Sequence, residues 1–122
     1  MKHLNKDIGN HGENIAAQYL VNNKYTIIER NFRCKFGEID IIAYNLDYLC
    51  FVEVKTRYET KFGFPLEAVN ITKQHKIQRI AEFYIYEKNC YNLNFRFDVV
   101  EVLLNTINNE CNVELIKNAF IT

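Results

Sequence analysis

This sequence predicts an α/β fold: a mixed β-sheet flanked by helices, in the order α-β-β-β-α-β-β. Three observations lead to it. Two segments repeat apolar residues at helical spacing. Two others are near-continuous apolar runs joined by a tight polar-tipped turn, the mark of central strands covered on both faces. One Pro and four Gly in 122 residues exclude linkers and loop-rich scaffolds. Residues 1–122 are therefore read as one domain, a length that supports one good core rather than two.

The first helix is expected from about Lys6 to Asn22, with Ile8, Ile15, Ala16, Tyr19 and Leu20 recurring at its period. Polar Asn22-Asn23-Lys24 stops it. Tyr25 to Asn31 is rich in β-branched and aromatic residues and reads as a strand. Strands over Gly37–Tyr44 and Tyr48–Arg57 follow, turning near Asn45-Leu46-Asp47. Tyr58 to Phe64 reads as a polar loop, and Pro65 starts a short turn through Val69. Thr72 is read as the N-cap of a long helix to about Lys88, with Ile77, Ile80, Ala81, Tyr84 and Ile85 on its buried stripe. Asn89 to Asn92 ends it. Strands over Leu93–Leu104 and Asn112–Ile116 complete the order.

Composition narrows the function. With 48% hydrophobic residues the chain buries a real core, and 15 basic residues against 15 acidic exclude a strongly basic clamp. The balance is uneven, however. Residues 1–80 hold 12 Lys/Arg against 9 Asp/Glu, and residues 81–122 hold 3 against 6. A polyanionic partner is therefore expected on the N-terminal two thirds. Cys34, Cys50, Cys90 and Cys111 form no C-x-x-C pair and read as small hydrophobes rather than zinc ligands. With no apolar leader and no 18-residue apolar stretch, the expectation is a cytoplasmic protein with reduced thiols and no membrane.

The informative feature is charge inside the two most apolar strands. Glu38 and Asp40 share one strand face; Glu53, Lys55 and Arg57 share one face of the next. A turn centred between Leu46 and Asp47 sets Asp40 opposite Glu53 and Glu38 opposite Lys55. Two carboxylates about 5 Å apart repel by roughly 3 kcal/mol at an effective dielectric of 20. Either one of them has a raised pKa or a cation lies between them. Mg²⁺ or Mn²⁺ suits that place, because a hard cation is commonly held by one or two carboxylates plus phosphate oxygens. Lys55 then points the same way, placed to orient or deprotonate a water. The competing arrangement is an ion network, Glu38 with Lys55 and Asp40 or Glu53 with Arg57. Glycoside hydrolysis, which also uses paired carboxylates, is disfavoured by the small chain and the absence of Trp.

Gly37-Glu38-Ile39-Asp40, a hairpin, and Phe51-Val52-Glu53-Val54-Lys55-Thr56-Arg57 resemble the catalytic pattern of the PD-(D/E)xK nuclease fold. Flanking motifs follow in order: Gly9-x-x-Gly12-Glu13-x-x-Ala16, Arg30-Asn31-Phe32-Arg33, Gly63-x-Pro65 through Lys73, Arg96-Phe97-Asp98 and Asn118-Ala119-Phe120. Together they resemble the YraN-like family, over about residues 8 to 120. The resemblance implies a restriction endonuclease-like sheet, similar to Holliday junction resolvases. It implies that Asp40, Glu53 and the backbone carbonyl of Val54 bind the metal, that Lys55 is the catalytic lysine, and that Glu13 matches the helix glutamate of resolvase-like members.

The expected function is thus a metal-dependent endonuclease acting on DNA, branched or flapped. The alternative is a non-catalytic module on the same fold that binds nucleic acid or another partner, and a third is a homodimer that completes its site or groove only when paired. Arg30, Arg33, Lys35, Arg57 and Lys73 are the leading phosphate contacts, with Lys61 and Lys76 beside them. Gly9 and Gly12 weaken their helix, which points to a close approach of the hairpin or of a phosphate. His75 reads as surface, Asp98 as structural with Arg96 or Arg57, and Phe95, Phe97, Tyr84 and Tyr86 as core.

Overall fold

The computed structural model describes residues 2–59, 70–105, 108 and 110–120. Helix α1 (Lys2–Asn22) leads into strands β1 (Thr26–Cys34), β2 (Gly37–Asn45) and β3 (Tyr48–Glu59). Helix α2 (Ile71–Lys88) then precedes β4 (Asn94–Asn105) and β5 (Cys111–Ile116). The five strands form one mixed sheet in chain order, with β3 and β4 parallel and every other pair antiparallel. The order matches the expectation. The loop and turn expected between Glu59 and Asn70, with Lys61 and the Gly63-x-Pro65 motif, lie outside the described residues.

Two cores sandwich the sheet, and β3 feeds both. Leu49 and Phe51 join Ile77, Ile80, Ala81 and Tyr84 of α2. Cys50 and Val52 join Ala16, Ala17 and Leu20 of α1. Alternation along a strand covered on both faces accounts for its unbroken apolar run. Leu46 turns the hairpin with φ 55°, the left-handed conformation that two-residue hairpin loops require.

The cap of α2 lies two residues earlier than expected. Asn70, not Thr72, accepts the Lys73 N–H at 2.8 Å, as Asn does at least as well as Thr. Asn89 closes the helix at φ 57°. The four cysteines are free, and Cys111 is exposed rather than buried. Among the aromatic residues, Phe97 and Tyr84 are core, whereas Phe95 and Tyr86 are exposed. No helix among the described residues is long and apolar enough to cross a membrane.

Candidate active site

The β2–β3 register follows the expected centre from Asn45↔Tyr48 to Ile41↔Val52, then stops. Strict alternation would put Ile39 and Ile41 on one face. Instead Ile39 and Ile42 lie in the α2-side core, and Ile41 and Ala43 in the α1-side core. The strand is thus irregular around Asp40. There the Asp40 carboxylate replaces a ladder carbonyl: its Oδ2 accepts the Val54 N–H at 2.7 Å. Val54 therefore meets Asp40 through its N–H. Glu38 does not oppose Lys55; it pairs across β1 with Arg33, at 3.2 Å. Glu38 accordingly leaves the expected four-residue face.

Glu53 is buried, and alternation from Phe51 turns it to the α2 face, with Lys55 and Arg57 beyond it on that face. Lys73 on the first turn of α2 reaches its Oε1 at 2.6 Å. An ion pair to Glu53 thus comes from Lys73, which the expected network did not include. Burial first, then the Glu53 charge, push Asp40 up from 3.8 to about 7. Glu13 adds to the rise, while the Val54 N–H and Lys73 oppose it.

Glu13 comes to this place from the other side of the sheet edge. It is buried, and its Oε1 accepts from Arg30 and from the Asn31 amide at 3.0 Å. Asn31 takes φ 56°, a left-handed conformation that asparagine tolerates better than most residues. Gly12 beside it lets α1 lie on β3: a Cβ there would sit 1.8 Å from Thr56 Oγ1. The close approach suggested by the helix glycine is thus to the hairpin.

Of the expected phosphate contacts, Arg30 is engaged with Glu13 and Asn14, Arg33 with Glu38 and Lys73 with Glu53. Arg57 is half-buried. Lys35 is exposed, its ammonium 5.2 Å from the Phe36 ring centre. Asp98 is structural: fully buried, it binds Arg96 at 2.9 Å, the Tyr25 hydroxyl at 2.8 Å and the Asn118 N–H at 2.9 Å.

One site neighbour escaped the sequence reading. Glu101 on β4 is the register partner of Lys55, is buried, and has one carboxylate oxygen with no hydrogen-bond partner. Its signal was available: a lone charge inside Val99-Val100-Glu101-Val102-Leu103, of the same kind that marked Asp40 and Glu53.

The residues present fit a hard divalent cation in one specific way. The charge of Glu53 raises the Asp40 carboxyl, and a cation between the two would relieve it. Among the described residues no group of three or more His, Cys, Asp or Glu could hold an ion. Waters, backbone or substrate phosphate oxygens would have to complete the shell of any ion held there, as is usual for Mg²⁺.

Comparison with known proteins identifies a family. Residues 12–102 match the Uncharacterised protein family UPF0102. A UPF0102 protein of Clostridium botulinum (strain 657 / Type Ba4) is 55% identical over 121 residues, 98% of each chain. Another, from Clostridium kluyveri, is 52% identical over 120 residues, again 98% of each chain. The chain belongs to the UPF0102 family.

Proposed function

We propose that this protein is a metal-dependent nuclease that hydrolyses phosphodiester bonds in DNA, branched or flapped. The observation that supports it most is the pairing of Asp40 with Glu53 in a mostly buried place where their charges oppose each other. A pure binder of polyanions has no use for facing acids, which repel phosphate. Mg²⁺ or Mn²⁺ bound there would supply Lewis-acid stabilisation of charge on the phosphate.

The chain's own residues have distinct tasks in this reading. The Val54 N–H fixes one oxygen of Asp40, leaving the other to face the ion. Lys73 neutralises Glu53 in the metal-free chain, and its displacement frees both a ligand and a phosphate contact. Lys55, on the Glu53 face, orients the attacking water or accepts its proton. Glu13, held by Arg30 and Asn31, adds negative charge behind Asp40 that favours cation binding.

The Lys73–Glu53 pair also favours a second reading, in which the acids are satisfied internally and the protein binds nucleic acid without cutting it. One assay separates the two. Labelled DNA and RNA of single-stranded, duplex, flapped and four-way form are incubated with Mg²⁺, Mn²⁺ or EDTA. Cleavage that needs metal and is lost in Asp40→Asn, Glu53→Gln and Lys55→Ala supports the nuclease. Binding with no cleavage of any substrate supports the second reading.

A further inference from the structure

Beside the carboxylate pair, and unused by it, lies a cavity of about 300 Å³ lined by Phe36, Thr72, His75, Lys76 and Arg79. The turn between β1 and β2 supplies the aromatic ring, and the exposed side of α2 supplies the rest. None of the five is acidic. Lys35 and Arg79 each bring a cation to the Phe36 ring, at 5.2 and 5.8 Å from its centre. Phe83 meets the ring edge-on at 6.1 Å and steadies it. The backbone at Gly37 takes φ 134°, and a Cβ there would lie 2.6 Å from the Lys76 Cε. Lys76 therefore packs against Gly37, next to Phe36. It is also one helical turn, roughly 5 Å, from the lysine that holds Glu53.

We infer that this cavity takes one unpaired base of a DNA single strand, with Phe36 against the base and Lys76 and Arg79 on the flanking phosphates. The inference rests on the nucleic-acid reading above and adds the form of the substrate. Charge selects the ligand class: three cationic side chains around the cavity call for an anion. The ring then separates nucleic-acid forms. A free phosphate has no use for an aromatic wall, and a base inside a duplex has both faces covered by its neighbours. An unpaired base offers its π-face, and stacking on an aromatic side chain is how single strands are held without sequence readout. The adjacent cations keep the phosphates on either side of that base in place. A cut at Asp40 and Glu53 would then fall close to a single-stranded segment, as at a flap or a junction with an unpaired arm.

The test is fluorescence anisotropy with the whole chain in EDTA at one fixed salt concentration. The probes are a labelled 20-nucleotide single strand of dT and a blunt duplex of equal length. Wild type should bind the single strand more tightly than the duplex. Phe36→Leu, which keeps apolar bulk and removes the ring, should weaken single-strand binding roughly 5- to 150-fold, the usual range for one stacked base. Its duplex affinity should change less than twofold, and Phe36→Tyr should retain wild-type binding. Equal loss on both probes, or no loss on either, overturns this inference while leaving the nucleic-acid reading in place. If wild type binds neither these probes nor any branched DNA or RNA, the nucleic-acid reading itself fails. A thermal melt of Phe36→Leu checks folding; should that variant be unstable, Phe36→Met, which also removes the ring and fills the space more flexibly, replaces it, with the same selective loss expected.

Discussion

Replacing Asp40 by Asn removes one of two opposed charges yet leaves an oxygen to accept the Val54 N–H. In the metal-free chain this substitution should stabilise, and only at higher pH. Below about pH 4 the Asp40 carboxyl is protonated in both folded and unfolded chains and contributes no penalty. Between about 4 and 7 the folded chain keeps a proton that the unfolded chain has lost, so stability falls as pH rises through about 7. At about 1.4 kcal/mol per pH unit, a rise from 3.8 to about 7 is worth roughly 4 kcal/mol. Water reaching the half-buried carboxyl reduces this to about 2–4 kcal/mol. For a chain of this size that is on the order of 10 °C in melting temperature. Urea and thermal unfolding of wild type and Asp40→Asn in EDTA, near pH 4 and near pH 8, measure it. The difference between the two proteins should be small at the lower pH and large at the higher. A variant no more stable than wild type near pH 8, with wild-type stability flat across the range, would refute the opposed-carboxylate argument.

Three further outcomes are expected. Adding Mg²⁺ or Mn²⁺ at ten times the dissociation constant should stabilise wild type by about 1.4 kcal/mol in thermal melts; Lys55→Ala should keep that gain and Asp40→Asn should lose most of it. Gly12→Ala should destabilise by about 1–3 kcal/mol because its Cβ meets Thr56, and Thr56→Ala in the same chain should restore much of the loss in a double-mutant cycle. Asp98→Ala should lower stability in urea by about 3–5 kcal/mol, since it leaves Arg96 and the Tyr25 hydroxyl without their buried partner.

Element order and both central strands were legible because burial on two faces writes an unbroken apolar run, and a helix writes its period. The face of Glu53 and Lys55 was legible for the same reason: β3 alternates regularly from Tyr48 onward. Glu38 was misplaced because alternation was extended through Asp40, where the strand breaks step. No residue in Gly37-Glu38-Ile39-Asp40 marks that break; it follows from the carboxylate taking a backbone N–H across the sheet. The partners of the acids were misread for a different reason. Lys73 and Arg30 reach the site from elements distant in sequence, and spacing along one hairpin cannot show what a facing helix or edge strand brings. Asn31 is a related case, since its left-handed backbone turns an ordinary strand position towards Glu13.

The 2.7 Å bond from Val54 N–H to Asp40 makes one backbone amide a resident reporter of the site. Every regular ladder amide answers to a carbonyl, whose acceptor strength is fixed. The Val54 amide answers instead to a group whose charge changes with pH and with any neighbouring cation. Its proton frequency and exchange rate in a nuclear magnetic resonance spectrum therefore track the ionisation of a single carboxyl, without a label and without turnover. A titration followed at that one amide would read the state of the carboxylate pair even in a chain that never cuts a strand.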